Sequence, residues 1–140
     1  DSEVVATTIM DGDGKGSVVT FRNREGNKSV LTGFTIRGGT GTKERDSSIH
    51  NEIVGGAIYC YVASPSIIGN VIEGNRVPND LLASGGRGEG GAVWLIASRA
   101  IISRNVFRNN EASRGGAVFV SRSVHPAVIS DNVFENNTGS

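Results

Sequence analysis

The repeats in this 140-residue chain predict an all-β fold. The expected architecture is a right-handed single-stranded parallel β-helix of about four to five coils with Asn-lined corners. Three observations carry that expectation. The sequence Gly-Gly-Ala followed by Ile or Val recurs at Gly55, Gly90 and Gly115, 35 and 25 residues apart. Each copy leads into an Asn-rich turn, 70–75, 105–110 and 132–137, so the basic period is about 25 residues with one longer copy. Helical spacing of apolar residues is absent, because Gly and Asn interrupt every candidate stretch.

In chain order, residues 4–11 read as the last part of a coil. Residues 16–21 form a Gly-opened first strand. Residues 29–36 supply the second and third strands, with Gly33 where later coils place Asn. After each Gly-Gly-Ala, period-2 alternation sorts the next strand into columns. Ile58, Val93 and Val118 face inward, as do Cys60, Leu95 and Val120. Tyr59, Trp94 and Phe119 face outward, followed by Tyr61, Ile96 and Ser121. The second strand offers Ile67, Ile102 and Ile129 to the core. The third offers Ile72, Phe107 and Phe134, the two Phe stacking about 4.8 Å apart. Asn70, Asn105 and Asn132 make one corner column, and Asn75, Asn110 and Asn137 a second. Asn tolerates the left-handed backbone of a sharp corner, and stacked amides bond along the column.

A chain this long makes one domain, here a single module over 1–140, expected to be excised from or associated with a longer protein. Fourteen basic and 14 acidic residues cancel, which argues against a nucleic-acid groove. No apolar run approaches the ~20 residues of a membrane span. The single Cys60 forms no internal disulfide. Bare β-helix ends expose unpaired backbone and favour end-to-end or edge-to-edge self-association.

The Gly-Gly-Ala-Ile/Val motif, with Phe-x-x-Asn at Phe107 to Asn110 and Phe134 to Asn137, resembles the repeat of chlamydial polymorphic outer-membrane proteins. More broadly, the chain from Val18 to Asn137 is similar to pectin-lyase-like parallel β-helix proteins, found among bacterial secreted and surface proteins. The resemblance implies an extracellular or cell-surface setting. It also implies a cleft on the outer face of the Gly-Gly-Ala strand, walled by corner loops. Those loops are 38–54, 76–89 and 111–114, and they shorten along the chain. Enzymes of that family carry Asp, Arg or Lys on this strand face. Here the six outward residues named above stand instead, with no carboxylate pair among them.

Binding is therefore the leading expectation. Tyr59, Tyr61, Trp94 and Phe119 form an outward aromatic stripe suited to a polysaccharide or another cell-surface ligand. The opposing reading is that a loop folds over the stripe, through Ile49 and Ile53 or through Val77, Leu81 and Leu82. Catalysis by a polysaccharide lyase or hydrolase would need groups from the loops. The candidates are Asp46, His50, Glu52, Asp80 and Arg87, for which solvated loop charge is the simpler explanation. Asp11 and Asp13 begin a sequence like a calcium loop, but its twelfth position is Arg22 and not an acid. No cofactor is expected, calcium being the one ion considered. A passive spacer is the third reading.

Overall fold

The computed structural model describes residues 2–44, 52–78 and 86–139. It is built almost wholly of short parallel strands. A helix α1 (Ser2–Thr7) and strand β1 (Ile9–Asp11) open the chain. The first full rung is β2 (Val19–Phe21), β3 (Val30–Thr32) and β4 (Thr35–Arg37), after which β5 (Thr42–Lys43) and β6 (Ile53–Val54) run aside. The second rung is β7 (Ile58–Tyr61), β8 (Ser66–Ile68) and β9 (Val71–Glu73), followed by lateral β10 (Gly88–Glu89). The third is β11 (Val93–Ile96), β12 (Ile101–Ser103) and β13 (Val106–Arg108), followed by β14 (Glu111–Ala112). The fourth is β15 (Val118–Ser121), β16 (Val128–Ser130) and β17 (Val133–Glu135), with β18 (Thr138–Gly139) last.

Like strands stack into three long parallel sheets, ordered β15-β11-β7-β2, β16-β12-β8-β3 and β1-β4-β9-β13-β17. Register follows the repeat. Ile58 pairs with Val93 and Val93 with Val118, while Tyr59, Trp94 and Phe119 share the next level. Ile67, Ile102 and Ile129 align, as do Ile72, Phe107 and Phe134. Through the third rung the inward columns form one core with Leu31, Ile36, Cys60 and Leu95, and Val118 packs against it. Phe107 and Phe134 stack with centroids 5.0 Å apart and planes 8° apart.

The Gly-Gly pair has two separate causes. Gly55, Gly90 and Gly115 all lie at positive φ, between 59° and 67°. A Cβ on Gly56 would collide with the carbonyl of Gly91, and one on Gly91 with that of Gly116. Backbone thus stacks on backbone at this corner, with no room for a side chain.

Four expectations need correction. Residues 4–11 are not one coil fragment, since Ser2–Thr7 is helical and only Ile9–Asp11 pairs with β4. The helix lies at the end of the stack, where the Thr35 hydroxyl donates to the Val5 carbonyl at 2.6 Å. Val120, Ile129 and Phe134, expected inward, are exposed and Val118 is only partly buried, although Ile58, Val93 and Phe107 are fully buried. Their strands β15, β16 and β17 are sheet edges, so each has a covering rung on one side only. Gly33 aligns with Gly69 rather than with the Asn column, where Phe34 stands instead. Finally, the left-handed residue at each corner precedes the Asn. Gly69, Arg104 and Asp131 hold positive φ before one column, and Gly74, Asn109 and Asn136 before the other.

The column Asn are selected by the ladder itself. Asn70 Nδ2 donates to Asn105 Oδ1 at 3.1 Å, and Asn105 Nδ2 to Asn132 Oδ1 at 3.0 Å. Each Asn Oδ1 also takes a backbone N–H from the preceding rung, and each Nδ2 reaches a carbonyl there. Asn75, Asn110 and Asn137 repeat the pattern. Buried amides are thereby fully partnered.

Candidate functional site

The outer face of the Gly-Gly-Ala sheet begins one rung earlier than its motif. Thr20 on β2 pairs with Tyr59, which pairs with Trp94, which pairs with Phe119. Period-2 alternation around inward Val19 and Phe21 sends Thr20 outward. The four aromatics share one face, but they do not make an open platform. Trp94 is 0% exposed and Tyr59 7%. They pack with Val54 and Ile96, and with partly buried Tyr61 and Phe119, into a second hydrophobic cluster outside the solenoid. Tyr59 and Trp94 stack at 5.2 Å, and Tyr59 and Tyr61 at 6.5 Å. The stripe expected to meet a ligand directly is in large part covered.

A lateral sheet, ordered β10-β6-β5, runs beside this cluster, with β6 and β10 parallel and β5 antiparallel to β6. Its strands bring carboxylates to the aromatic edge. The Tyr59 hydroxyl donates to Glu44 Oε2 at 2.6 Å. Trp94 Nε1 donates to Glu89 Oε2 at 3.2 Å, and Arg114 Nη1 meets Glu89 Oε1 at 2.7 Å. Glu89 is buried, and both of its oxygens are engaged. Burial, then the Glu44 contact, push the Tyr59 phenol far above its ordinary value of 10.0. Desolvation, then the nearby charge of Glu89, raise the Glu52 carboxyl above the usual carboxylate range.

At the first rung the face opens. A groove of about 770 Å³ is lined by Thr20, Arg22 and Asn23 on one side, Thr42, Lys43 and Glu44 on the other, and Tyr59. The expected high wall at the long first loop is thus formed in part by β5. Sequence reasoning placed no site here, because the first rung lacks the Gly-Gly-Ala motif. The alternation Val19, Thr20, Phe21, Arg22 was the available signal.

Of the catalytic candidates, Asp46, His50 and Asp80 lie outside the described residues. Glu52 stands at the β5–β6 strip and Arg87 just before β10. Of the loop residues offered as a cover for the stripe, Ile49, Leu81 and Leu82 also lie outside the described residues. Val77 is buried and Ile53 half-buried. Asp11 and Asp13 are occupied by protein partners. Asp11 Oδ1 accepts from the Asp13 N–H at 3.0 Å and Oδ2 from Arg37 Nε at 2.9 Å, which hold its carboxyl below the usual range. Asp13 meets Lys15 Nζ at 2.7 Å. A calcium ion there would have to displace Arg37 and Lys15, and these two residues alone do not fit the six to eight oxygens the ion requires. Among the described residues no group of three or more His, Cys, Asp or Glu could hold a metal. No helix of the described residues is long and apolar enough to cross a membrane.

Residues 6–140 match the family model described as a right handed beta helix region. The match concerns the β-helix itself and does not extend to the chlamydial outer-membrane proteins. No curated protein and no solved structure gives a significant match.

Proposed function

The chain belongs to the right-handed β-helix family, and from that premise we propose that it is a non-catalytic module of a secreted or cell-surface bacterial protein that binds a glycan. The resemblance of its repeats to those of surface proteins supports the setting. The observation that carries the binding reading is the first-rung groove. It combines hydroxyls, an amide and charged groups with the exposed margin of a rigid aromatic ring. Sugars are recognised by such a mixture, polar groups meeting their hydroxyls and an aromatic meeting their C–H faces. Its volume lies within the usual span of small-ligand sites, about 300–1,000 Å³. In this reading the stripe has a supporting role. Trp94 and Glu89 fix the Tyr59 ring, and Tyr59 with Glu44 fixes β5.

The test is calorimetric titration of the protein with a panel of soluble oligosaccharides. Saturable binding that weakens in Asn23→Ala and Tyr59→Phe, without release of new sugar ends, is the expected result. Turnover would favour the polysaccharide lyase or hydrolase reading, for which the raised Glu52 carboxyl is the one supporting observation. Absence of binding to every sugar and surface offered would leave a structural spacer. Self-association through the fourth rung is a further part of the proposal, supported by its exposed Ile129, Val133 and Phe134. Sedimentation across a concentration series reads it.

A further inference from the structure

We infer that the first-rung groove takes an anionic group carried on the saccharide, received between Arg22 and Lys43. This rests on the reading that the groove binds a glycan, and it adds the chemical class. Three charged side chains line the groove, two of them cationic. The one anion, Glu44, already accepts the Tyr59 hydroxyl at 2.6 Å and belongs to the wall. Neither Arg22 nor Lys43 makes an ion pair among the described residues. The two cations reach the groove from separate elements, Arg22 from the end of β2 and Lys43 from β5.

The chemistry of the two groups is complementary. A guanidinium offers a planar fork of donors that matches a carboxylate or a sulfate with two parallel bonds. An ammonium supplies a compact charge on a flexible stem, suited to the far side of the same anion. Thr20 and Asn23 remain for the neutral hydroxyls, Thr42 Oγ1 being bonded to Ser17 Oγ at 2.8 Å. The chain as a whole carries no net charge, so attraction is local and acts within a Debye length of about 8 Å at physiological salt. An anion on the ligand would therefore improve retention in the groove more than long-range capture.

The experiment uses three oligosaccharides of one backbone: neutral, carboxylated and sulfated. Each is titrated into the intact protein by calorimetry at low and at physiological ionic strength. At least one charged form is expected to bind about tenfold tighter than the neutral one, and to weaken with salt, as charge-assisted bonds do. Arg22→Gln and Lys43→Gln should each remove most of that advantage, whereas Asn23→Ala should weaken the neutral and charged sugars alike. Comparing the carboxylated and sulfated arms says which anion is received. Both side chains are exposed and make no ion pair among the described residues, and thermal melts of the variants confirm that they fold. Equal affinity for the neutral and charged sugars overturns the anion inference and leaves the glycan reading standing. So does charged binding that neither substitution alters. Binding of none of the three overturns both.

Discussion

Asn105 joins three rungs through one amide. Its Nδ2 donates to Ile67 below and to Asn132 above, while its Oδ1 accepts from the Asn70 backbone and side chain. Asn105→Asp keeps the shape but removes the donors and buries a carboxylate against carbonyls. The expected loss is about 2–4 kcal/mol, read by urea unfolding. Val62 makes the opposite case. It is β-branched, 41% exposed and held at φ 50°, where L side chains crowd their own carbonyl. Val62→Asn should stabilise the chain by about 0.5–1 kcal/mol in the same assay, because Asn accepts that conformation and little apolar contact is lost. The Asn columns were legible in the sequence because they repeat. Their backbone was not, because Asn suits both the left-handed corner and the ladder, and composition cannot separate the two. Arg104, at a left-handed corner position, carries no such signature at all.

At the scale of elements, the three long sheets were legible and the lateral one was not. Strands of three and four residues sit in a repeating frame whose inward columns are apolar at every rung. β5, β6 and β10 are two residues each, too short for any alternation to show. An outward column of Tyr, Trp and Phe was the indirect sign that something covers it. A second register device is as hard to read from the sequence. Along the outer side of the β1-β4-β9-β13-β17 sheet, Asp11 pairs with Arg37, and Arg108 stands level with Glu73 and Glu135. The Asp11–Arg37 and Glu73–Arg108 contacts are 2.9 and 2.6 Å. Exposed pairs of this kind contribute little each, about 0–1 kcal/mol, but a one-rung slip would set like charges together.

The contact between β7 and the residue after β5 makes its own prediction. Tyr59 has a raised pKa in the folded state, so folding keeps its proton where the unfolded chain loses it. That stability is fully present below pH 10 and is lost as pH rises through the folded value. In Tyr61→Phe, where Tyr59 is the only tyrosine, ultraviolet titration should show no phenolate through the normal tyrosine range. Phenolate should appear only with unfolding. Glu44→Gln should bring ionisation to lower pH by removing the carboxylate.

For the whole molecule, one solenoid core and one lateral cluster divide the work. The solenoid sets the positions of the strands. The lateral cluster turns an outward face into a packed wall and leaves the first rung open beside it. Whether a ligand meets aromatics or a polar groove depends on that division, and Trp94 reports it. It is the only tryptophan, it is fully buried, and it lies at the centre of the cluster. The decisive measurement is its fluorescence with iodide quenching in the free protein. A buried, stacked indole bonded to Glu89 gives blue emission that iodide does not reach. Red emission with free quenching would mean that the stripe is open to solvent, that the cluster does not form in solution, and that ligand would meet the aromatics themselves.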